Sequence, residues 1–117
     1  PDNQATIELL LNSSIRPFMF IMVVFLAPFV EELVFRKFLM GFLMEKARLS
    51  KWIAGAIAAF VFAAIHVVGA GPEGWIFIFQ YLVLSVVITL AYILSGFNIY
   101  VPIAIHLINN LVSFLVV

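Results

Sequence analysis

Four long apolar segments, separated by short polar connections, dominate the sequence of 117 residues. They run over about residues 15–44, 52–68, 75–94 and 99–117, and about 20 apolar residues is the length at which an α-helix crosses a bilayer core. Backbone polar groups find no water inside lipid, so helices, which satisfy their own hydrogen bonds, are the predicted form. The sequence therefore predicts an all-α fold, a polytopic transmembrane helical bundle with about four spans.

Composition supports a membrane environment and excludes several classes of function. Charged residues make up 10% of the chain, whereas roughly a quarter of the residues of a typical soluble domain are charged. The net charge is zero, so no basic field would gather nucleic acid, and the lipid bilayer is the expected partner. The chain has no cysteine, which excludes thiolate metal sites and a cysteine nucleophile. We expect an integral membrane protein.

The organisation of the chain follows from the same segments. Residues 1–14 are predicted to be a polar lead-in or interfacial segment, and residues 15–117 a membrane-embedded core. The first apolar segment would be about 45 Å long as a helix, which exceeds one bilayer core, so we expect a long helix with a kink at Pro28. The chain begins at Pro1 rather than at a methionine and has about four spans, so we expect it to be part of a larger protein.

Several polar side chains lie within the predicted spans, where insertion of a charged group costs about 2.5 to 3.5 kcal/mol. Each therefore needs a partner or a function. The polar residues that most need such an explanation are Glu31, Glu32, Arg36, His66, His106 and Asn110.

Helical spacing distinguishes the neighbouring residues Glu31 and Glu32. Glu32 and Arg36 are four residues apart and can form an ion pair on one helix face. Glu31 points about 100° away and lacks a cation partner on its own helix, so it remains available as a general base.

The remaining polar residues lie on other spans. His106 and Asn110 are four residues apart, on one face of the fourth helix, and both can donate hydrogen bonds. Asn109 competes with Asn110 as the inward-facing amide, and Asn110 could instead bond a neighbouring helix. His66 by itself is typical of an interfacial histidine bonded to a carbonyl group. At about 1.5 Å per residue, the depths of these groups allow one shared chamber.

Other hydrolytic chemistries have weaker support. Two histidines and a carboxylate would suit zinc, but the histidines lie on different spans and no His-Glu-x-x-His helix is present. The chain has no Gly-x-Ser-x-Gly motif. Its only aspartate, Asp2, lies outside the predicted spans, which argues against a pair of catalytic aspartates.

Three motifs in register carry a family resemblance. Glu31-Glu32-x-x-x-Arg36, Phe62-x-x-x-His66 and His106-x-x-x-Asn110 resemble the signature of the CAAX protease and bacteriocin-processing (CPBP, or Abi) family of intramembrane glutamate endopeptidases. This family includes the type II CAAX prenyl endopeptidases. Lys37 departs from the pattern, because family members often have glycine there.

The resemblance implies a metal-independent hydrolase without a cofactor. Glu31 and His66 would activate a water molecule, and His106 and Asn110 would form the oxyanion hole. Supporting roles would fall to Glu32 and Arg36. The expected substrate is a peptide or membrane protein in a prokaryotic cell membrane, as in bacteriocin processing, while eukaryotic relatives cut prenylated CAAX tails.

Two other functions stay open at the level of sequence. A non-catalytic membrane binding or immunity protein could keep the same fold and use the polar chamber to bind a partner. An ion or proton pathway through Glu31 and the histidines would predict conductance or pH-coupled flux.

Overall fold

The computed structural model describes residues 2–12 and 14–116, and every regular element in this part of the chain is helical. A short helix, α1 (Asp2–Leu11), precedes four longer ones: α2 (Arg16–Glu45), α3 (Lys51–Val68), α4 (Pro72–Leu94) and α5 (Tyr100–Val116). By length and composition α2, α3 and α4 can each cross a membrane. Helix α5 has 17 residues, the lower limit for a span. The predicted all-α polytopic membrane bundle is confirmed.

The predicted segments and the helices differ little at their ends. Each of the four long helices begins and ends within three residues of the predicted segment, except that the predicted end at residue 117 lies outside the described residues. Residues 1 and 13 of the lead-in also lie outside them. The described part of the predicted lead-in contains the helix α1.

Helix α2 is continuous but irregular. Two π-helical stretches, Met22–Leu26 and Leu33–Met40, flank an α-helical segment, Ala27–Glu32, that contains the buried Pro28. The N–H of Ala27 bonds to the carbonyl of Met22, five residues earlier. A wide turn thus lies directly before Pro28, and π-helical turns of this kind are a common site of helix distortion.

Helices α3 and α4 pack closely because α3 presents small residues to its neighbour. Gly55, Ala59 and Ala63 are all buried on this face. A Cβ atom added at Gly55 would lie 2.8 Å from Cγ2 of Thr89 on α4. Glycine thus allows an approach that a larger residue would obstruct.

Polar caps fix the starts of α3 and α5. Ser50 accepts a hydrogen bond from the N–H of Ile53 through Oγ at 3.2 Å, an N-terminal cap of α3. Asn98 accepts one from the N–H of Tyr100 through Oδ1 at 3.1 Å. These contacts set the starting points from which His66 and His106 project.

Two apolar clusters enclose a polar layer. Near the α2–α3 connection, Met40, Ala58, Tyr92 and Ile93 pack together. Toward the other end of α2 and α5, Val24 and Phe114 form a second cluster, against which Ile7 of α1 packs. Glu31, Glu32, Arg36 and His106 lie between these clusters along α2 and α5. Large apolar side chains also face outward, where lipid would cover them; examples are Phe29, Phe38, Phe60, Val86 and Ile108.

Candidate active site

Glu31 of α2 and His66 of α3 form the first polar contact of the layer. Nε2 of His66 lies 2.8 Å from Oε1 of Glu31, and Nδ1 of His66 lies 2.7 Å from the carbonyl oxygen of Phe62. A carbonyl only accepts, so Nδ1 carries a proton and donates it. The Glu31–His66 hydrogen bond then requires a second proton between the two groups, either on the imidazole or on the carboxyl.

Glu32 and His106 form a second, deeper contact. Nδ1 of His106, on α5, lies 2.8 Å from Oε2 of Glu32. On the other side of the carboxylate, Nε of Arg36 lies 3.3 Å from Oε1. The side chains of Glu32 and Arg36 are fully buried and that of His106 is 3% exposed. The ion pair predicted from the four-residue spacing is therefore present, and His106 is added to it from another helix.

Glu31 joins the two pairs. Its Oε2 lies 3.9 Å from Nε2 of His106, while its Oε1 contacts His66. Glu31 and His66 are each 25% exposed, in contrast to the buried Glu32–His106 pair. Two histidines from different helices thus approach the two oxygens of one carboxylate.

Arg36 is anchored by a fourth helix. Its Nη2 donates to the Ser85 carbonyl, the Ser85 hydroxyl and the Thr89 hydroxyl at 2.9, 2.8 and 3.1 Å. The guanidinium also lies over the ring of Phe62, with Cζ 4.9 Å from its centroid. Sequence analysis gave Ser85 and Thr89 no role, although their four-residue spacing on α4 places them on one face.

Phe62 explains part of the second motif. Its ring centroid lies 4.1 Å from that of His66 and 5.6 Å from that of His106. Phe62 therefore contacts both imidazoles through its ring, and it also contacts His66 through its carbonyl group. Tyr81, which sequence analysis missed, has its ring centroid 5.3 Å from His66. It precedes Ser85 by four residues on α4, which was the available signal.

The Asn110 amide bonds the backbone of a neighbouring helix, a contact that the oxyanion hypothesis does not require. Its Nδ2 donates to the carbonyl of Val23 on α2 at 3.0 Å. Asn109 is exposed, and its Nδ2 donates to Oδ1 of Asn110 at 3.4 Å. One N–H of the Asn110 amide is thereby occupied, and one remains.

A cavity of about 550 Å³ opens onto these groups. Its volume falls in the range of roughly 300 to 1,000 Å³ that is usual for ligand pockets. The wall includes the four residues with proposed catalytic roles, together with the amides of Gln80 and Asn109 and three residues of α1. Among the described residues, the lining consists of Asn3, Gln4, Ile7, Val23, Ala27, Glu31, Phe62, His66, Gln80, Tyr81, Leu84, His106, Asn109, Asn110, Ser113 and Phe114.

Within residues 2–12 and 14–116, the histidine and acidic side chains form no group of three or more that could hold a metal ion. The polar contacts among Glu31, Glu32, His66 and His106 are hydrogen bonds and ion pairs.

Comparison with known proteins adds one finding. A family model described as "Type II CAAX prenyl endopeptidase Rce1-like" matches residues 13–112. No curated protein and no solved structure matches the chain. The match includes all three motifs and all four long helices except the last residues of α5. The chain is therefore a member of the Rce1-like type II CAAX prenyl endopeptidase family, a family of CAAX-type intramembrane proteases.

Proposed function

We propose that this chain is the catalytic core of a glutamate-dependent, metal-independent endopeptidase that hydrolyses a peptide bond within the membrane. The observation that carries the proposal is the placement of Glu31 at the cavity wall, between the Nε2 atoms of His66 and His106. The carboxylate is partly exposed to the cavity, so a water molecule can reach it. Family membership supports the reaction class.

In the proposed reaction Glu31 is the general base. Its carboxylate, paired with protonated His66, removes a proton from water as the water oxygen attacks the scissile carbonyl carbon. The carbonyl π electrons move to oxygen and give a tetrahedral oxyanion. Glu31 then returns the proton to the leaving amine nitrogen as the C–N bond breaks. General base catalysis of this kind contributes roughly 10²- to 10⁴-fold.

His106 and Asn110 are the proposed donors to the oxyanion. Because Nδ1 of His106 donates to Glu32, the imidazole can offer an N–H from Nε2 only when both nitrogens are protonated. The proposed oxyanion donor is therefore the imidazolium form of His106. Asn110 would contribute the amide N–H that the Val23 carbonyl leaves free. An oxyanion donor is worth roughly 3 to 4 kcal/mol in comparable enzymes.

The proposed substrate is a membrane-associated or hydrophobic peptide. Family members are named for cleavage of prenylated CAAX proteins, so a prenylated CAAX peptide is the first candidate. A bacteriocin-type leader peptide in a prokaryotic membrane is the second. Both would enter a cavity whose wall combines amides with apolar side chains.

The decisive experiment uses purified protein in liposomes with quenched fluorescent peptides of both kinds, in the presence of a chelator. Wild type is expected to cut at least one of them, and Glu31→Gln is expected to lower kcat by roughly 10²- to 10⁴-fold. Lys37→Gln, which removes an exposed charge from the same helix, is the matched control and should retain activity.

Three results would reject the proposal. Cleavage by the Glu31→Gln variant at the wild-type rate would remove Glu31 as the base, and loss of cleavage on chelation would indicate a metal. If wild type cuts neither peptide but binds one of them equally well with and without the Gln substitution, a non-catalytic binding or immunity role would replace the peptidase.

A further inference from the structure

The buried cation Arg36 donates its hydrogen bonds to α4 rather than to its ion-pair partner. All the hydrogen bonds that the described residues make to its guanidinium go through Nη2 to Ser85 and Thr89. Nε, although 3.3 Å from Glu32 Oε1, does not meet hydrogen-bond geometry, and Nη1 has no partner among the described residues. The contact with Glu32 is therefore one of charge.

This arrangement separates two tasks. Ser85 and Thr89 determine where the guanidinium lies, and the guanidinium then stabilises the negative charge of Glu32 in a site shielded from water. Glu32 in turn accepts the proton of His106 Nδ1 at 2.8 Å. A hydrogen bond at one imidazole nitrogen decides what the other nitrogen can do, so the contacts on α4 act at Nε2 of His106, the atom that faces Glu31.

The packing behind Thr89 supports a defined position. The methyl group of Thr89 lies where a Cβ on Gly55 would be only 2.8 Å away, and Thr89 is 5% exposed. The side chain is therefore confined between α3 and Arg36, with its hydroxyl directed to the guanidinium. Ser85 is fully buried, one turn earlier on the same face.

We propose that Ser85 and Thr89 are positioning residues of this site: they hold Arg36 beside Glu32 and thereby fix the orientation of His106 and the hydrogen bond that its Nδ1 donates to Glu32. The consequence for turnover rests on the proposed function, whereas the effect on His106 does not. Removal of both hydroxyls should lower kcat with little change in KM, because the two residues are outside the cavity wall and touch no substrate.

The test compares the double variant Ser85→Ala/Thr89→Val with wild type. Valine retains the shape of threonine and its methyl contact with Gly55, so only the hydroxyl is lost. We expect kcat to fall about 10- to 100-fold, as when an orienting partner of a ligating histidine is removed. Thr89→Ser retains the hydroxyl and should restore most of the rate relative to Thr89→Val. Ile88→Val, a buried change on the same helix, is the packing control.

A second readout does not depend on cleavage. The chain contains two histidines, so ¹⁵N-histidine NMR resolves both imidazoles. The double variant should shift the Nδ1 and Nε2 resonances of His106 and leave those of His66 in place. If no peptide is cut by wild type, the proposed function fails, and this shift still decides the positioning role.

Three outcomes would overturn the inference. His106 resonances and kcat that both stay at wild-type values would show that Arg36 needs neither hydroxyl. Equal losses in Thr89→Ser and Thr89→Val would assign the effect to packing. A fall in kcat accompanied by an equal fall in Ile88→Val, with unchanged His106 resonances, would do the same.

Discussion

Two neighbouring glutamates in one helix have different surroundings. Glu31 is 25% exposed and borders the cavity, whereas Glu32 is fully buried beside Arg36 and His106. A carboxylate next to a water-accessible cavity can exchange a proton with substrate, while one enclosed by a guanidinium and an imidazole stabilises charge. The same residue type is thus suited to chemistry at position 31 and to support at position 32.

Replacement of Glu32 should lower the stability of the fold in addition to its effect on His106. Glu32→Gln leaves Arg36 buried without a counter-charge, and breaking a buried ion pair by removing one partner costs about 3 to 5 kcal/mol. Denaturant titration in mixed micelles, followed by circular dichroism, measures the loss. Glu31→Gln is the matched control, because its partly exposed side chain leaves no buried cation unpaired. Equal unfolding midpoints for Glu32→Gln and wild type would contradict this prediction.

At the level of helices, α2 depends on a contact from α5. The N–H of Ala27 bonds to Met22 rather than to Val23, and residue 28, the next in line, is a proline without an N–H. The Val23 carbonyl therefore has no intrahelical donor at four or five residues, and the Asn110 amide supplies one at 3.0 Å. The wide turn, the proline and the asparagine form one structural unit.

Asn110→Ala should therefore destabilise the fold in addition to any effect on catalysis. The unsatisfied Val23 carbonyl is expected to cost about 1 to 3 kcal/mol. Asn109→Ala, at an exposed neighbouring amide, should cost much less. In a Pro28→Ala background, where residue 28 regains an N–H, the penalty of Asn110→Ala should shrink. The unfolding free energies of wild type, Asn110→Ala, Pro28→Ala and the double variant form a double-mutant cycle. Strict additivity of the two changes would argue against a link between Pro28 and Asn110.

The close approach of α3 and α4 gives a second prediction for the helices. Gly55→Ala would place a Cβ 2.8 Å from Thr89 and 3.1 Å from Ile93, and overpacking of this kind costs about 1 to 3 kcal/mol. Gly41→Ala meets nothing within 4 Å and should stabilise its helix by about 0.5 to 1 kcal/mol. Thermal unfolding of the two variants should therefore shift in opposite directions. A gain in stability for Gly55→Ala would refute the packing constraint.

For the whole molecule, the hydropathy of the sequence predicted the helices, whereas the spacing of polar residues predicted few of the contacts in the site. The helices followed from apolar length because lipid permits few other backbone structures, and the Glu32–Arg36 contact followed from a four-residue interval. The pairings of Glu31 with His66 and of Glu32 with His106 join residues 35 and 74 positions apart. Such contacts depend on how the helices pack. A regular period of 3.6 residues also cannot reveal the π-helical turn that directs Asn110 to Val23.

The membrane placement of the bundle can be tested because the chain has no native cysteine. Phe38→Cys and Phe60→Cys lie on outward, apolar surfaces and should resist a membrane-impermeant maleimide in liposomes. Lys46→Cys, in the connection after α2, should react when that side faces the reagent. Detergent should make all three accessible. Labelling of Phe60→Cys before detergent is added would contradict burial in lipid.

The π-helical stretch Leu33–Met40 has a consequence for how this chain tolerates change. A residue deleted there would restore a regular turn and rotate the part of α2 before it by about 100° relative to Met40. Both glutamates would then leave their histidines even though every polar side chain was still present. The rotation of the first spanning helix about its axis is thus as important for the site as its composition. Insertions and deletions in this stretch should therefore be tolerated less well than most substitutions.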